Sequence, residues 1–212
     1  MLKIVPQGHR GEVIEIETWI AASGRNGIRR DWVLRDLASG VVFAVATSTL
    51  VAMNKQTRRV SKMPEEVRDE LSTFFCEKQV LKENFKERIE KLNDKAKYVT
   101  SDLKPMWSDL DVNYHVNNVK YVKWILETVP EGFLKDHQIS SMILEYKREC
   151  TSCDIVRSLC EPQEDEILGC INGAPFKYTH LLQIQGDTKN ADVVRARTLW
   201  KLKKMSTVPF ST

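Results

Sequence analysis

Long hydrophobic runs are missing from this sequence: no apolar stretch approaches the roughly 18 residues that a membrane-crossing helix needs. The start, Met1-Leu2-Lys3-Ile4-Val5-Pro6, has neither the apolar core of a signal peptide nor the Ser/Arg bias of a transit peptide, so the chain is expected to carry no organelle address. Paired cysteine is missing too. Cys76, Cys150, Cys153, Cys160 and Cys170 are odd in number and irregularly spaced, which argues against a secreted disulfide framework and for a reducing compartment. Cys150 and Cys153 form one isolated pair with no histidine at ligand spacing, so no metal and no cofactor are expected. A large excess of charge of one sign is also missing. With 32 lysines and arginines against 29 aspartates and glutamates, the net charge of +3 does not by itself imply nucleic acid, although basic residues cluster at Arg29-Arg30, Lys55 to Lys62 and Lys201 to Lys204.

What is present has the composition of one or two folded domains: 42% hydrophobic and 29% charged over 212 residues excludes disorder as the default. From Glu12 the pattern alternates with period two through Trp19, then breaks at Ser23-Gly24-Arg25-Asn26-Gly27, which predicts a strand and a hairpin turn. Asp31 to Asp36, a turn at Ser39-Gly40 and Val41 to Met53 extend this into an antiparallel meander. Pro64-Glu65-Glu66 opens a short helix running to about Phe75. In residues 77–96, Leu81, Phe85, Ile89 and Leu92 make one narrow apolar stripe, which predicts an amphipathic connecting helix.

The second half echoes the first. Asp154 to Leu159 resembles Glu12 to Glu17, and Ala191 to Trp200 parallels Ser39 to Ser48, so two similar β-meanders share the chain. The second unit adds Val116 to Val129, apolar nearly all round, a helix that must be buried inside a sheet. By internal symmetry the first unit is expected to lack its leading strand and helix. The predicted organisation is 1–76 for that truncated unit, 77–100 for the connection, 101–206 for the second unit and 207–212 for a tail.

Chemistry concentrates at Asp111-Val112-Asn113-Tyr114-His115-Val116-Asn117-Asn118, where polar side chains beside an apolar helix must be paired or used. One reading is capping, with Asn113 accepting from free helical N–H groups, Asp111 complementing the dipole and His115 a satisfied core histidine. The other places an oxyanion at the helix N-terminus, with His115 as the base and a carboxylate orienting its ring. The strand Ser141 to Cys150 ends in two candidate partners, Glu149 and Cys150, which strict alternation puts on opposite faces. Parity groups Cys150 with Met142, Leu144 and Tyr146 on the apolar face unless a bulge intervenes. A merely packed thiol is inert, whereas a carboxylate fits both base and orienter. Both stay open.

Trp107-Ser108-Asp109-Leu110-Asp111-Val112-Asn113, His115-Val116-Asn117-Asn118-Val119-Lys120-Tyr121 and Glu145-Tyr146-Lys147-Arg148-Glu149-Cys150 resemble the signature blocks of plant acyl-acyl carrier protein thioesterases. Ala22 to Trp32 and Met53 to Arg59 agree, and the resemblance runs from about Glu12 to Trp200. The Trp-Ser-Asp-Leu-Asp-Val wording is similar to the B-type, saturated-chain enzymes. The resemblance implies an α+β fold of tandem hotdogs, each a curved antiparallel sheet around a central helix. It also implies metal-free hydrolysis of fatty acyl thioesters in the plastid. Matched motif to motif, the catalytic groups are Asp111, Asn113, His115 and Glu149, with a Cys150-His115-Asn113 arrangement as the alternative. The partner implied is acyl carrier protein, an acidic protein that Arg29, Arg30, Arg58, Arg59 and Lys62 would steer, and a homodimer is compatible with the fold. Tyr114 departs from the pattern, which usually has Gln there. Three other readings compete: a non-catalytic acyl- or carrier-binding hotdog, an inactive truncated product, and a thioesterase acting on coenzyme A esters.

Overall fold

A computed structural model describes residues 2–4, 13–81, 88–163, 175–186, 188 and 190–203. The chain divides into two compact units, Met1–Lys86 and Glu87–Thr212. Phe85, Cys170, Lys204 and the tail 207–212 lie outside the described residues. Among the described residues no helix is long and apolar enough to cross a membrane.

The alternating runs of the first unit form β1 (Leu2–Ile4), β2 (Ile14–Ser23), β3 (Gly27–Asp36) and β4 (Val42–Val51), followed by α1 (Glu65–Ser72). The sheet order is β2-β3-β4-β1, antiparallel throughout. The β2–β3 turn relies on Gly24 at φ 60°, a backbone open to glycine. At Gly27 a Cβ would sit 2.1 Å from the Leu50 carbonyl oxygen, so β3 and β4 approach there only without a side chain. One face of the sheet is covered: Asp31 is 1% exposed and its Oδ2 accepts from Arg29 Nε at 3.1 Å. The Trp19 Nε1–H donates to the Lys78 carbonyl at 2.7 Å, while the Lys78 ammonium lies 4.3 Å from the Trp19 ring centroid. The other face carries Ile14, Ile16 and Leu50, all exposed, and the buried side chains of the described structure include none from α1.

The second unit contains β5 (Tyr98–Leu103), a single 3₁₀ turn (Trp107–Asp109), α2 (Asn118–Glu127), α3 (Glu131–Asp136), β6 (His137–Tyr146), β7 (Val156–Pro162), β8 (Phe176–Ile184) and β9 (Ala191–Leu202). The strands run antiparallel in the order β6-β9-β8-β7-β5. Tyr121, Trp124 and Ile125 of α2 are buried with Val156, Leu182, Val194 and Ala196, and each buried Val, Leu or Ile among them contributes about 1.5–3 kcal/mol through its removal from water. A helix packed on an antiparallel sheet is the hotdog arrangement. The helix is not apolar all round in effect: Val119 is 75% exposed, because only one stripe of a ten-residue helix meets the sheet.

The connecting helix expected over residues 77–96 does not span that stretch. Residues 77–81 and 88–97 are irregular, and 82–87 lie outside the described residues. Residues 88–97 instead form an extended strap on the second unit. Ile89 is fully buried, its N–H donates to Glu145 Oε1 at 3.4 Å, and its carbonyl accepts from Arg195 Nη1 at 3.5 Å. Lys91 meets Asp192 at 2.9 Å, Arg157 pairs with Asp94, and the Lys97 N–H donates to Glu161 at 2.5 Å. Of the apolar residues whose spacing mimicked a helix, Ile89 is buried on the second unit, while Leu92 is only half-buried.

Candidate active site

The polar cluster folds as a closed loop because Asp111 organises it. Its Oδ1 accepts from the Asn113 N–H at 2.8 Å and the His115 N–H at 3.1 Å, and its own N–H donates to the His115 carbonyl at 2.7 Å. Tyr114 turns the chain at φ 61°, and Leu110 bridges to Val116 across the loop base. The helix cap is Asn117, whose Oδ1 accepts from the Val119 N–H at 3.0 Å. The capping roles expected of Asn113 and Asp111 are therefore taken by another residue, and Asp111 serves the loop instead of the dipole. The Asn113 side chain is exposed beside His115 in sequence.

Asp109 ties the preceding turn to α2. Its Oδ2 accepts from the Met106 N–H at 2.7 Å and lies 3.1 Å from Lys120 Nζ. Burial raises its pKa, but the Met106 and Lys120 donors outweigh that and hold the carboxyl below its ordinary value. Trp107 and Tyr114, both exposed, lie with ring centroids 5.8 Å apart.

His115 Nε2 lies 3.4 Å from Glu149 Oε2, with the two side chains 31% and 46% exposed. Strict alternation would have sent Glu149 to the opposite face. It does not, because β6 ends at Tyr146 and the next two N–H groups, of Lys147 and Arg148, both donate to the Val193 carbonyl at 2.8 and 3.3 Å. Two successive donors on one acceptor mark bulged backbone, which re-aims the side chains after it. Parity holds for Cys150, which is fully buried in the cluster around α2. Burial pushes its thiol up to about 11, so it is protonated at neutral pH and a poor nucleophile. Its N–H donates to Tyr121 Oη at 3.0 Å and its carbonyl accepts from the Val116 N–H at 2.8 Å.

The basic residues singled out in the first unit differ in their surroundings. Arg29 is engaged by Asp31 and by the Lys78 carbonyl at 3.0 Å. Arg30 Nε donates to Thr18 Oγ1 at 3.1 Å and its guanidinium lies 5.6 Å from the Trp32 ring centroid. Arg58, at φ 54°, and Arg59 sit on the exposed turn organised by Asn54, whose Oδ1 accepts from the Gln56 and Thr57 N–H groups at 3.0 and 2.8 Å. Lys62 pairs with Glu65 at 2.7 Å, both exposed. Two residues escaped sequence reasoning. Tyr121 looked like core, and only its hydroxyl hinted at a buried partner. His180 on β8 is fully buried, with Nε2 2.8 Å from Thr198 Oγ1, and burial lowers its pKa to about 3.

Comparison with known proteins matches residues 1–71 to the acyl-ACP thioesterase N-terminal domain and residues 92–202 to the acyl-ACP thioesterase C-terminal domain. The chain is 43% identical over 194 residues to a chloroplastic palmitoyl-acyl carrier protein thioesterase of Gossypium hirsutum, covering 91% of this chain and 46% of that protein. It is 44% identical over 194 residues to a chloroplastic dodecanoyl-[acyl-carrier-protein] hydrolase of Umbellularia californica, covering 91% and 49%. A chloroplastic oleoyl-acyl carrier protein thioesterase of Arabidopsis thaliana is 40% identical over 210 residues, covering 92% and 57%. The chain thus spans about half the length of the curated relatives it matches. The solved 12:0-ACP thioesterase from Umbellularia californica superposes with a TM-score of 0.85 at 42% identity, covering 95% of this chain and 71% of that one. With both domain models matched in order, the second over more than half of the residues, the chain belongs to the acyl-ACP thioesterase family.

Proposed function

We propose that the protein hydrolyses fatty acyl-acyl carrier protein thioesters to free fatty acid and carrier, ending chain elongation in the plastid. The observation that carries this reading is the approach of His115 Nε2 to Glu149 Oε2 at 3.4 Å beside the N-terminus of α2. A base and a carboxylate orienter are often that far apart before substrate binds. His115 takes a proton from water, and the resulting hydroxide adds to the thioester carbonyl. The tetrahedral oxyanion meets the positive end of α2. Collapse breaks the C–S bond, and the imidazolium returns its proton to the departing thiolate. Glu149 holds the ring and stabilises the imidazolium, Asn113 orients the reacting groups, and Asp111 supports both through the loop backbone.

Arg29, Arg30, Arg58, Arg59 and Lys62 are proposed to steer the acidic carrier, with Arg29 also held by Asp31 and Lys62 by Glu65. Charge reversals that leave KM for the carrier-linked substrate unchanged would remove that part. Sedimentation of the purified chain tests whether it forms a homodimer. The chloroplastic names of the relatives support a plastid location.

The experiment for the reaction measures free fatty acid released from carrier thioesters eight to eighteen carbons long, alongside coenzyme A esters of the same acids, by the parent and by His115→Ala. Release lost in the variant supports hydrolysis, and the carrier-to-coenzyme ratio decides the substrate class. A second reading, a non-catalytic acyl-binding protein, draws on the exposed Ile14, Ile16 and Leu50 face of the first unit. It is the outcome if the folded parent releases nothing.

A further inference from the structure

We infer that Tyr121 is a positioning residue for this reaction: its hydroxyl fixes the Glu149–Cys150 peptide so that the Glu149 carboxylate meets the His115 imidazole. The inference rests on the proposed roles of His115 and Glu149.

Beyond β6 the backbone has left the regular ladder, since the Lys147 and Arg148 N–H groups share one carbonyl. Two hydrogen bonds then set residue 150. The Cys150 N–H donates to Tyr121 Oη at 3.0 Å, and the Cys150 carbonyl accepts from the Val116 N–H at 2.8 Å. Val116 follows His115 directly, and Glu149 precedes Cys150. The histidine, the Val116–Cys150 bond, the carboxylate and the 3.4 Å His115–Glu149 approach therefore close a ring. Tyr121 braces that ring from the core side. It is 2% exposed, and its ring packs against Trp124 and Tyr146 with centroids 6.1 and 6.2 Å apart, so the hydroxyl has little freedom to follow a moving partner.

Without the hydroxyl, the Cys150 N–H is a buried donor with no acceptor, which the chain relieves most cheaply by rotating the 149–150 peptide toward water. That rotation carries the Glu149 carboxylate away from His115. Tyr121 acts through Glu149, so its loss changes turnover and not substrate affinity.

The test uses the whole chain with carrier-linked thioester. Tyr121→Phe is expected to lower kcat about tenfold with KM unchanged, and to add no further loss in a Glu149→Gln background, because neighbours acting through one group are not additive. In the parent, the Cys150 amide is expected to be protected from hydrogen exchange, a measurement that stands even if the phenylalanine variant folds poorly. Three results overturn the inference: parental kcat in Tyr121→Phe, the same factor lost in both backgrounds, or exchange of the Cys150 amide at the rate of a free peptide. Parental activity in Glu149→Gln instead overturns the proposed site, a distinct outcome.

Discussion

The Val116 N–H donates to the Cys150 carbonyl at 2.8 Å, so the residue after the histidine is bonded to the residue after the carboxylate. Histidine and carboxylate come from a loop and from a strand end, and neither element alone fixes their separation. A single backbone bond does so, backed by the Asp111 loop on one side and α2 on the other.

Asp111 is expected to matter through geometry. Asp111→Ala removes the acceptor of both the Asn113 and His115 N–H groups. Hydrogen bonds to a charged acceptor are worth about 1.5–3 kcal/mol each. We expect kcat for fatty acid release to fall about a hundredfold, and Asp111→Asn, which keeps one oxygen in place, to fall far less. Equal losses in the two variants would make the charge the working feature.

Tyr114 holds a left-handed backbone at φ 61°, which costs a residue with a Cβ about 1–2 kcal/mol and asparagine less. Tyr114→Asn also gives up the Trp107 ring contact. We expect a net gain of about 0.5 kcal/mol, read as a higher urea midpoint with an unchanged slope. A lower midpoint would mean that the ring contact outweighs the backbone strain.

His180 makes stability depend on pH. Burial lowers its folded pKa to about 3, below the unfolded value near 6.5, so the unfolded chain binds the extra proton between those limits. Its contribution is fully present above about pH 6.5 and is lost as pH falls, by about 1.4 kcal/mol per unit. Urea unfolding at pH 7 and pH 5 should show this slope in the parent and a flatter one in His180→Leu, whose side chain does not titrate.

Ile89 anchors the strap with no exposed surface. Ile89→Ala should lower unfolding free energy by about 2–5 kcal/mol, the range for a buried aliphatic truncated to alanine. A change under about 1 kcal/mol in a denaturant titration would mean that the strap's charge pairs carry its attachment.

The strands were legible because apolar and polar residues alternate along them, yet the echo of Ile14-Glu15-Ile16 in Val156-Arg157-Ser158 does not extend to burial, since Ile14 and Ile16 are exposed while Val156 and Ser158 are buried. The loop that Asp111 and His115 build together was legible because polar residues beside an apolar helix require partners. Which of Glu149 and Cys150 lies beside His115 was not, since parity extends only as far as the ladder and the bulge after Tyr146 is made by a carbonyl on another strand. The strap was misread for a related reason. Leu81, Ile89 and Leu92 obey a helical spacing, yet Ile89 is buried by a sheet whose residues lie far along the chain. Tyr121 was hidden because a buried ring and a buried hydroxyl look alike in sequence.

The strap also sets a schedule. The Ile89 carbonyl is met by Arg195, 106 residues further along, and Lys91 by Asp192. During synthesis at about 5–20 residues per second, the strap leaves the ribosome many seconds before the strand that seals it. The second unit therefore closes only after β9 has been made, and a ribosome that stalls before β9 releases a chain with Ile89 lacking its Arg195 partner.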